Sequence, residues 1–156
     1  MNDDARFEDG REAPLNLGAL DDDDLKVISS LVQDAVLTSA DMTWRPKERR
    51  FALLLNRFRW EDESRDRHGA ERVRSLLVID NVLHVASQGV DRGDGDVVLS
   101  LLSVEFLPLE DGAGHVVLTL AGDGAIRLQV EAFETTLKDV TRPYRAPSGH
   151  TPDHGA

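Results

Sequence analysis

Trp44-Arg45-Pro46-Lys47-Glu48-Arg49-Arg50-Phe51-Ala52-Leu53-Leu54-Leu55-Asn56-Arg57-Phe58-Arg59-Trp60 carries the clearest structural signal of this chain. Pro46 presets the dihedral of a turn's second position, so Thr38–Trp44 and Arg50–Glu61 are predicted to pair as an antiparallel hairpin. In its second strand Phe51, Leu53 and Leu55 share one face, whereas Phe58 and Trp60 fall on the other. Either a bulge near Asn56 re-phases the strand or both of its faces are covered. In both cases Phe51, Leu53, Phe58 and Trp60 are expected to be buried.

Upstream, Asp21-Asp22-Asp23-Asp24 precede Leu25, Ile28, Leu31, Val32 and Ala35 at helical spacing. This predicts a helix over about 22–35, with Asp21 as N-cap, acidic residues in the first turn, and a hydrophobic staple between Leu20 and Leu25. Consecutive carboxylates on a helix point in different directions, so capping is favoured over a hard-cation site. Downstream, Glu61–Arg72 is a polar loop, and strands are predicted at 73–79, 82–86, 97–107, 116–120 and 126–130. Asp80-Asn81 marks a bend and Gly122-Asp123-Gly124 a short hairpin connection. Val130, Phe133, Leu137 and Val140 then return to helical spacing over 131–140, before Arg142-Pro143.

The expected fold is therefore α+β: a single domain with a curved or barrel-like antiparallel sheet, an N-terminal helix and a C-terminal helix. A pleckstrin-homology-like barrel with its closing C-terminal helix is one version suggested by element order. Residues 1–17 read as a mobile acidic arm, 18–142 as the domain, and 143–156, rich in Pro and Gly, as a disordered tail.

The 156-residue chain has no cysteine, which excludes disulfides, thiolate metal sites and a cysteine nucleophile. No apolar run approaches the ~18 residues of a membrane span, and a cytoplasmic location without membrane contact is expected. The net charge of −11 is unevenly spread. Residues 45–74 hold ten Arg/Lys against six Asp/Glu, a local +4, and the remainder carries −15.

Catalytic signatures are weak. The five histidines form no His-x-His or His-Glu-x-x-His pair, and no metal or cofactor is expected from them. Val90-Asp91-Arg92-Gly93-Asp94-Gly95-Asp96 lacks the residue order of a calcium loop. The Gly-x-Gly pairs at 112/114 and 122/124 join strand to strand, so neither places a phosphate on a helix N-terminus. What remains is the basic hairpin. Arg45, Lys47, Arg49, Arg50, Arg57 and Arg59 are the candidate partner-binding residues, interleaved with Trp44, Phe51, Phe58 and Trp60. Arg57 and Arg59 alternate with Phe58 and are expected to project together from one side of the strand. The bland reading makes the aromatics core and the arginines a solvated face, partly neutralised by Asp21–Asp24.

Arg45-Pro46-Lys47-Glu48-Arg49-Arg50-Phe51-Ala52-Leu53, Leu55-Asn56-Arg57-Phe58 and Trp60-Glu61 resemble the core block of an uncharacterised bacterial family, domain of unknown function 2948. Val90-Asp91-Arg92 running into Val98-Leu99-Ser100-Leu101-Leu102 is a second matching block. Leu118-Thr119-Leu120-Ala121-Gly122, with Gly124-Ala125-Ile126-Arg127-Leu128 and Val130-Glu131, is a third. The resemblance covers about 18–142. Family members tend to carry Phe-Ala-Gly-Gly-Gly where this chain has Leu120-Ala121-Gly122-Asp123-Gly124. The resemblance implies no activity, cofactor or catalytic residue. Function is thus unknown from sequence, and the favoured expectation is a non-enzymatic interaction or adaptor domain that offers its basic hairpin face to an acidic protein partner. The alternatives are a nucleic-acid-binding module using the same residues, and an enzyme with an unrecognised site. Oligomeric state is left open.

Overall fold

A computed structural model of the chain describes residues 14–61, 71–90 and 95–145. Its helix begins as the aspartates predict. Asp21 is extended, and its side chain accepts the Asp24 N–H at 2.8 Å, with Asp22, Asp23 and Asp24 in the first turn of α1 (Asp22–Val32). Leu20, however, is 71 % exposed, so the staple to Leu25 is not made. The helix also stops at Val32 rather than near residue 35. Gln33 leaves the helical region and Asp34 turns left-handed at φ 64°. This redirects the chain into β2 (Ala35–Thr38), whose Ala35 and Leu37 alternate into the core.

The strand expected over Thr38–Trp44 is interrupted. One 3-10 turn, Ser39–Asp41, separates β2 from β3 (Met42–Arg45), and the Asp41 carboxylate accepts both the N–H and the hydroxyl of Thr38. Beyond this kink β3 pairs with β4 (Arg50–Phe58) as the predicted hairpin, from Met42 opposite Leu53 to Arg45 opposite Arg50. β4 pairs in turn with β5 (Glu71–Ile79) in unbroken register from Phe51/Ile79 to Phe58/Arg72. There is no bulge at Asn56, so both faces of β4 are covered. Phe51, Leu53 and Leu55 face the core, while Phe58 is buried on the other side with Trp60 edge-on at 4.6 Å.

Six further strands follow: β6 (Val82–Gln88), β7 (Val98–Pro108), β8 (Gly114–Leu120), β9 (Ala125–Val130), β10 (Thr135–Asp139) and β11 (Tyr144–Arg145). With β1 (Asn16–Ala19) they form one antiparallel sheet in the order β1-β10-β5-β4-β2-β7-β8-β9-β6, with β3 added to β4 and β11 to β5. Two connections force this sheet to curve. Asp80-Asn81 carries the chain from β5 to β6, and residues 131–134 carry it from β9 to β10, each between strands far apart in the ladder. The two corners brace each other: Glu131 N–H donates to the Asn81 carbonyl at 2.9 Å and Asp80 N–H to the Glu134 carbonyl at 3.0 Å. The sheet does not close, since β1 and β6 end the ladder without pairing to each other.

The single α-helix among the described residues packs beside β7 and buries Leu25, Ile28 and Val32 against the shared core of both halves. β2 leaves β7 at Leu101, where β7 bulges before Ser103. The edge exposed beyond the bulge is blunted. The Ser29 hydroxyl accepts the Val104 N–H at 2.9 Å, and Pro108 has no N–H to offer.

The C-terminal helix is not formed. Residues 131–134 are a corner and Thr135–Asp139 is a strand paired with β1 and β5, so the pleckstrin-homology-like version fails. Thr135, Leu137 and Asp139 alternate inward. Two of these three are polar, which hid the period-2 pattern and left the apolar residues at a misleading spacing. The folded body also begins before residue 18, at β1, and extends past 142 to β11. Residues 1–13, 62–70, 91–94 and 146–156 lie outside the described residues, and with them most of the expected arm, tail and Glu61–Arg72 loop.

Gly114 gives a direct test of the packing between β7 and β8. A Cβ added there would lie 2.5 Å from the Phe106 ring and 2.6 Å from the Leu107 carbonyl, whereas Gly18 has nothing within 4 Å. Gly114→Ala should lower the free energy of unfolding in urea by about 1–3 kcal/mol. Gly18→Ala should stay within about 0.5 kcal/mol of the parent.

Candidate functional site

The hairpin turn is built from its own backbone. Glu48 N–H donates to the Arg45 carbonyl and Arg49 N–H to the Pro46 carbonyl, both at 3.1 Å, and Arg49 returns the chain to β4 in the left-handed region at φ 54°. Four of the six candidate cations, Arg45, Lys47, Arg49 and Arg50, sit exposed around this tip. Three are paired with carboxylates: Arg45 with Glu48 at 3.6 Å, Arg49 with Glu131 at 2.7 Å and Arg50 with Asp80 at 2.9 Å. The hydrogen bond and charge of Asp80 raise the Arg50 pKa above its ordinary value. The neutralising acids are therefore Glu48, Asp80 and Glu131, not the aspartates of the helix start, where Asp22 pairs with Lys26.

Register places Arg45 directly opposite Arg50, so both leave the sheet on its outer face, away from Trp44 and Phe51. There they border an open groove of about 500 Å³ across β3, β4, β5 and β10. Its floor is formed by Ala52, Leu76 and Val78, and Thr43 and Thr136 stand beside them. Glu48 and Asp80 line the same end, so its two guanidinium groups stand beside their paired carboxylates.

Arg57 and Arg59 are elsewhere. They are 0 % and 3 % exposed and do not project into solvent, which corrects the expectation of a six-cation face. Arg57 points inward from β4 and its donors are matched to acceptors. Nε donates to Ser75 Oγ at 2.9 Å, Nη1 to Glu61 Oε1 at 2.8 Å and to the Phe58 carbonyl at 3.3 Å. Nη2 donates to Glu61 Oε2 at 2.7 Å and Asp139 Oδ1 at 3.1 Å. Ser75 Oγ donates to Asp139 Oδ1 at 2.7 Å, and Asp139 Oδ2 accepts the Leu15 N–H at 2.9 Å. Arg59 Nη1 bonds Glu71 Oε1 at 2.7 Å. Matching of this kind offsets the cost of burying the Arg57 guanidinium. The cluster is thus a structural tie among β4, β5, β10 and the segment entering β1.

Sequence reading missed Ser75, Asp139 and Glu61 in this cluster. Only the alternation Thr135, Leu137, Asp139 pointed to one of them, and Leu137 had already been claimed by a helical period. Of the histidines, His84 is exposed on β6 and His115 is half-buried in β8. His68, His150 and His154, like Asp91–Asp94, lie outside the described residues. Among the described residues no group of three or more His, Cys, Asp or Glu is placed to hold a metal ion, and no helix is long and apolar enough to cross a membrane.

Removing Arg57 leaves Asp139 buried without its charge partner, so Arg57→Ala should cost about 3–5 kcal/mol in denaturant unfolding. Ser75→Ala should cost about 1–3 kcal/mol. Glu61 supplies a pH signature. Burial pushes its carboxyl up, but the hydrogen bonds and charge of Arg57 outweigh this and hold its pKa below the ordinary 4.5. Its stabilising contribution is therefore complete above pH 4.5 and disappears as pH falls through the lower folded value. Glu61→Gln should accordingly be less stable than the parent at neutral pH, with the gap narrowing on acidification to about pH 3 in parallel urea titrations.

No curated protein and no solved structure matches this chain. One family model does, over residues 15–154, a span that takes in all described strands and the helix. By that match the chain belongs to the family described as protein of unknown function (DUF2948).

Proposed function

We propose that this chain is a non-enzymatic cytoplasmic interaction domain, and that the outer face of β3-β4-β5-β10 receives an acidic protein partner. The observation that carries the reading is the adjacency of Arg45 and Arg50 at the end of an apolar-floored groove of about 500 Å³. Ala52, Leu76 and Val78 offer apolar area, and the two guanidinium groups offer hydrogen bonds to a carboxylate. Their present partners do not prevent this. Arg45 and Arg50 are 62 % and 50 % exposed in their ion pairs, and exposed pairs are worth only about 0.2–1 kcal/mol, so a partner's carboxylate can exchange with Glu48 or Asp80. Charge also supports a partner of this kind over nucleic acid. Glu48, Asp80 and Glu131 interrupt the cations at the hairpin tip, and an extended run of phosphates would meet them too.

The test is the double variant Arg45→Gln/Arg50→Gln, read by melting temperature and by affinity for a protein captured from native lysate and then purified. The melting temperature is expected to stay within a few degrees of the parent, as exposed pairs contribute little. Affinity is expected to fall by about tenfold or more, whereas Lys47→Gln at the tip changes it by less than about threefold. Equal loss in both variants, or none in either, would refute a groove-directed interface. Capture that disappears on nuclease treatment would replace the protein partner with nucleic acid. Turnover of a captured small molecule would favour the enzyme alternative.

A further inference from the structure

The inner face of the same hairpin poses a separate question, because among the described residues β3 pairs only with β4, and β6 only with β9. A seam lined from both sides runs between the hairpin and β6. They are tied where Val82 N–H donates to the Arg49 carbonyl at 2.8 Å. Farther along lies a cavity of about 150 Å³ lined by Met42, Trp44, Phe51, Val85, Val90 and Ile126. Phe51 and Ile126, 4 % and 2 % exposed, form its floor. Met42, Trp44, Val85 and Val90 are half-buried, so the space opens to solvent.

Three features select its occupant. The volume is that of an apolar cavity able to hold one benzene-sized ring. Among the described residues the lining includes no charged side chain, so an ionised ligand would lose hydration without gaining a partner there. Ser39 and Ser87 also line the space, and although each already holds an interaction, a hydroxyl oxygen has two acceptor lone pairs to share. We infer that this seam is a binding site for a neutral small molecule built on a single aromatic ring or a branched chain of similar bulk, with one polar group directed at the serines. The site lies on the opposite side of the hairpin from Arg45 and Arg50, so it stands or falls independently of the proposed interface.

Met42 is one of only two methionines, the other being Met1. Carbon-13 labelling of methionine methyl groups therefore gives a readily assigned reporter in the cavity wall. Titration of the full chain with p-cresol should shift the Met42 methyl resonance saturably. Benzoate, the same ring bearing a carboxylate, should bind at least about tenfold more weakly. Val85→Phe, which fills the cavity, should abolish the p-cresol shift while the amide spectrum stays folded. Should that variant not fold, Val90→Phe, placed outside the strands, serves the same purpose. The inference is overturned by a Met42 resonance that does not move up to the solubility of p-cresol, by benzoate binding as tightly, or by an unchanged shift in a folded, filled variant.

Discussion

One buried cation organises this domain. Arg57 is fully enclosed, and a guanidinium in that position must have its donors matched and its charge balanced, or the fold loses several kcal/mol. The acceptors come from separate parts of the chain: the Phe58 carbonyl at the end of β4 and Glu61 just after it, Ser75 in β5 and Asp139 in β10. Asp139 also holds the Leu15 N–H at the entry to β1. A one-residue slip of β10 against β5 would turn Asp139 outward and bring Lys138 or Val140, neither a counter-charge, to Arg57. The cluster thus specifies register in the half of the sheet where the chain's two ends return.

The corners at Asp80-Asn81 and 131–134 set the other constraint. They join strands distant in the ladder, so the sheet must curve until its halves share one core, and their mutual hydrogen bonds keep the crossing in place. Curvature without closure leaves β3 and β6 with unpaired edges on either side of a seam. The hairpin consequently has two faces with different chemistry. Arg45 and Arg50 border an open groove outside, while Trp44 and Phe51 line a small apolar cavity inside.

Charge placement follows the same logic. Two cations of the +4 segment read from sequence do not reach the surface, because Arg57 and Arg59 are buried against Glu61, Asp139 and Glu71. At the tip, Arg45, Arg49 and Arg50 meet acids from three separate segments. The exposed arginines of the tip thus each stand beside a carboxylate.

Local information in the sequence determined the features whose partners are close in the chain. The Asp21 cap, the Pro46 turn, the Gly122-Asp123 connection and most strands depend on dihedral preference and short-range hydrogen bonds. They appear where the pattern puts them, as does the burial of Phe51, Leu53 and Phe58. The tertiary structure alone decided the last strand and the fate of the arginines. Thr135-Thr136-Leu137-Lys138-Asp139 reads as a strand only if Asp139 belongs inside, and Asp139 belongs inside only because Arg57, 82 residues away, is there. The exposed position of Arg50 and the buried one of Arg57 likewise depend on which carboxylates the curved sheet brings within reach. Composition and periodicity carry no record of such long-range pairings, since desolvation and compensation of a charge are properties of the assembled core.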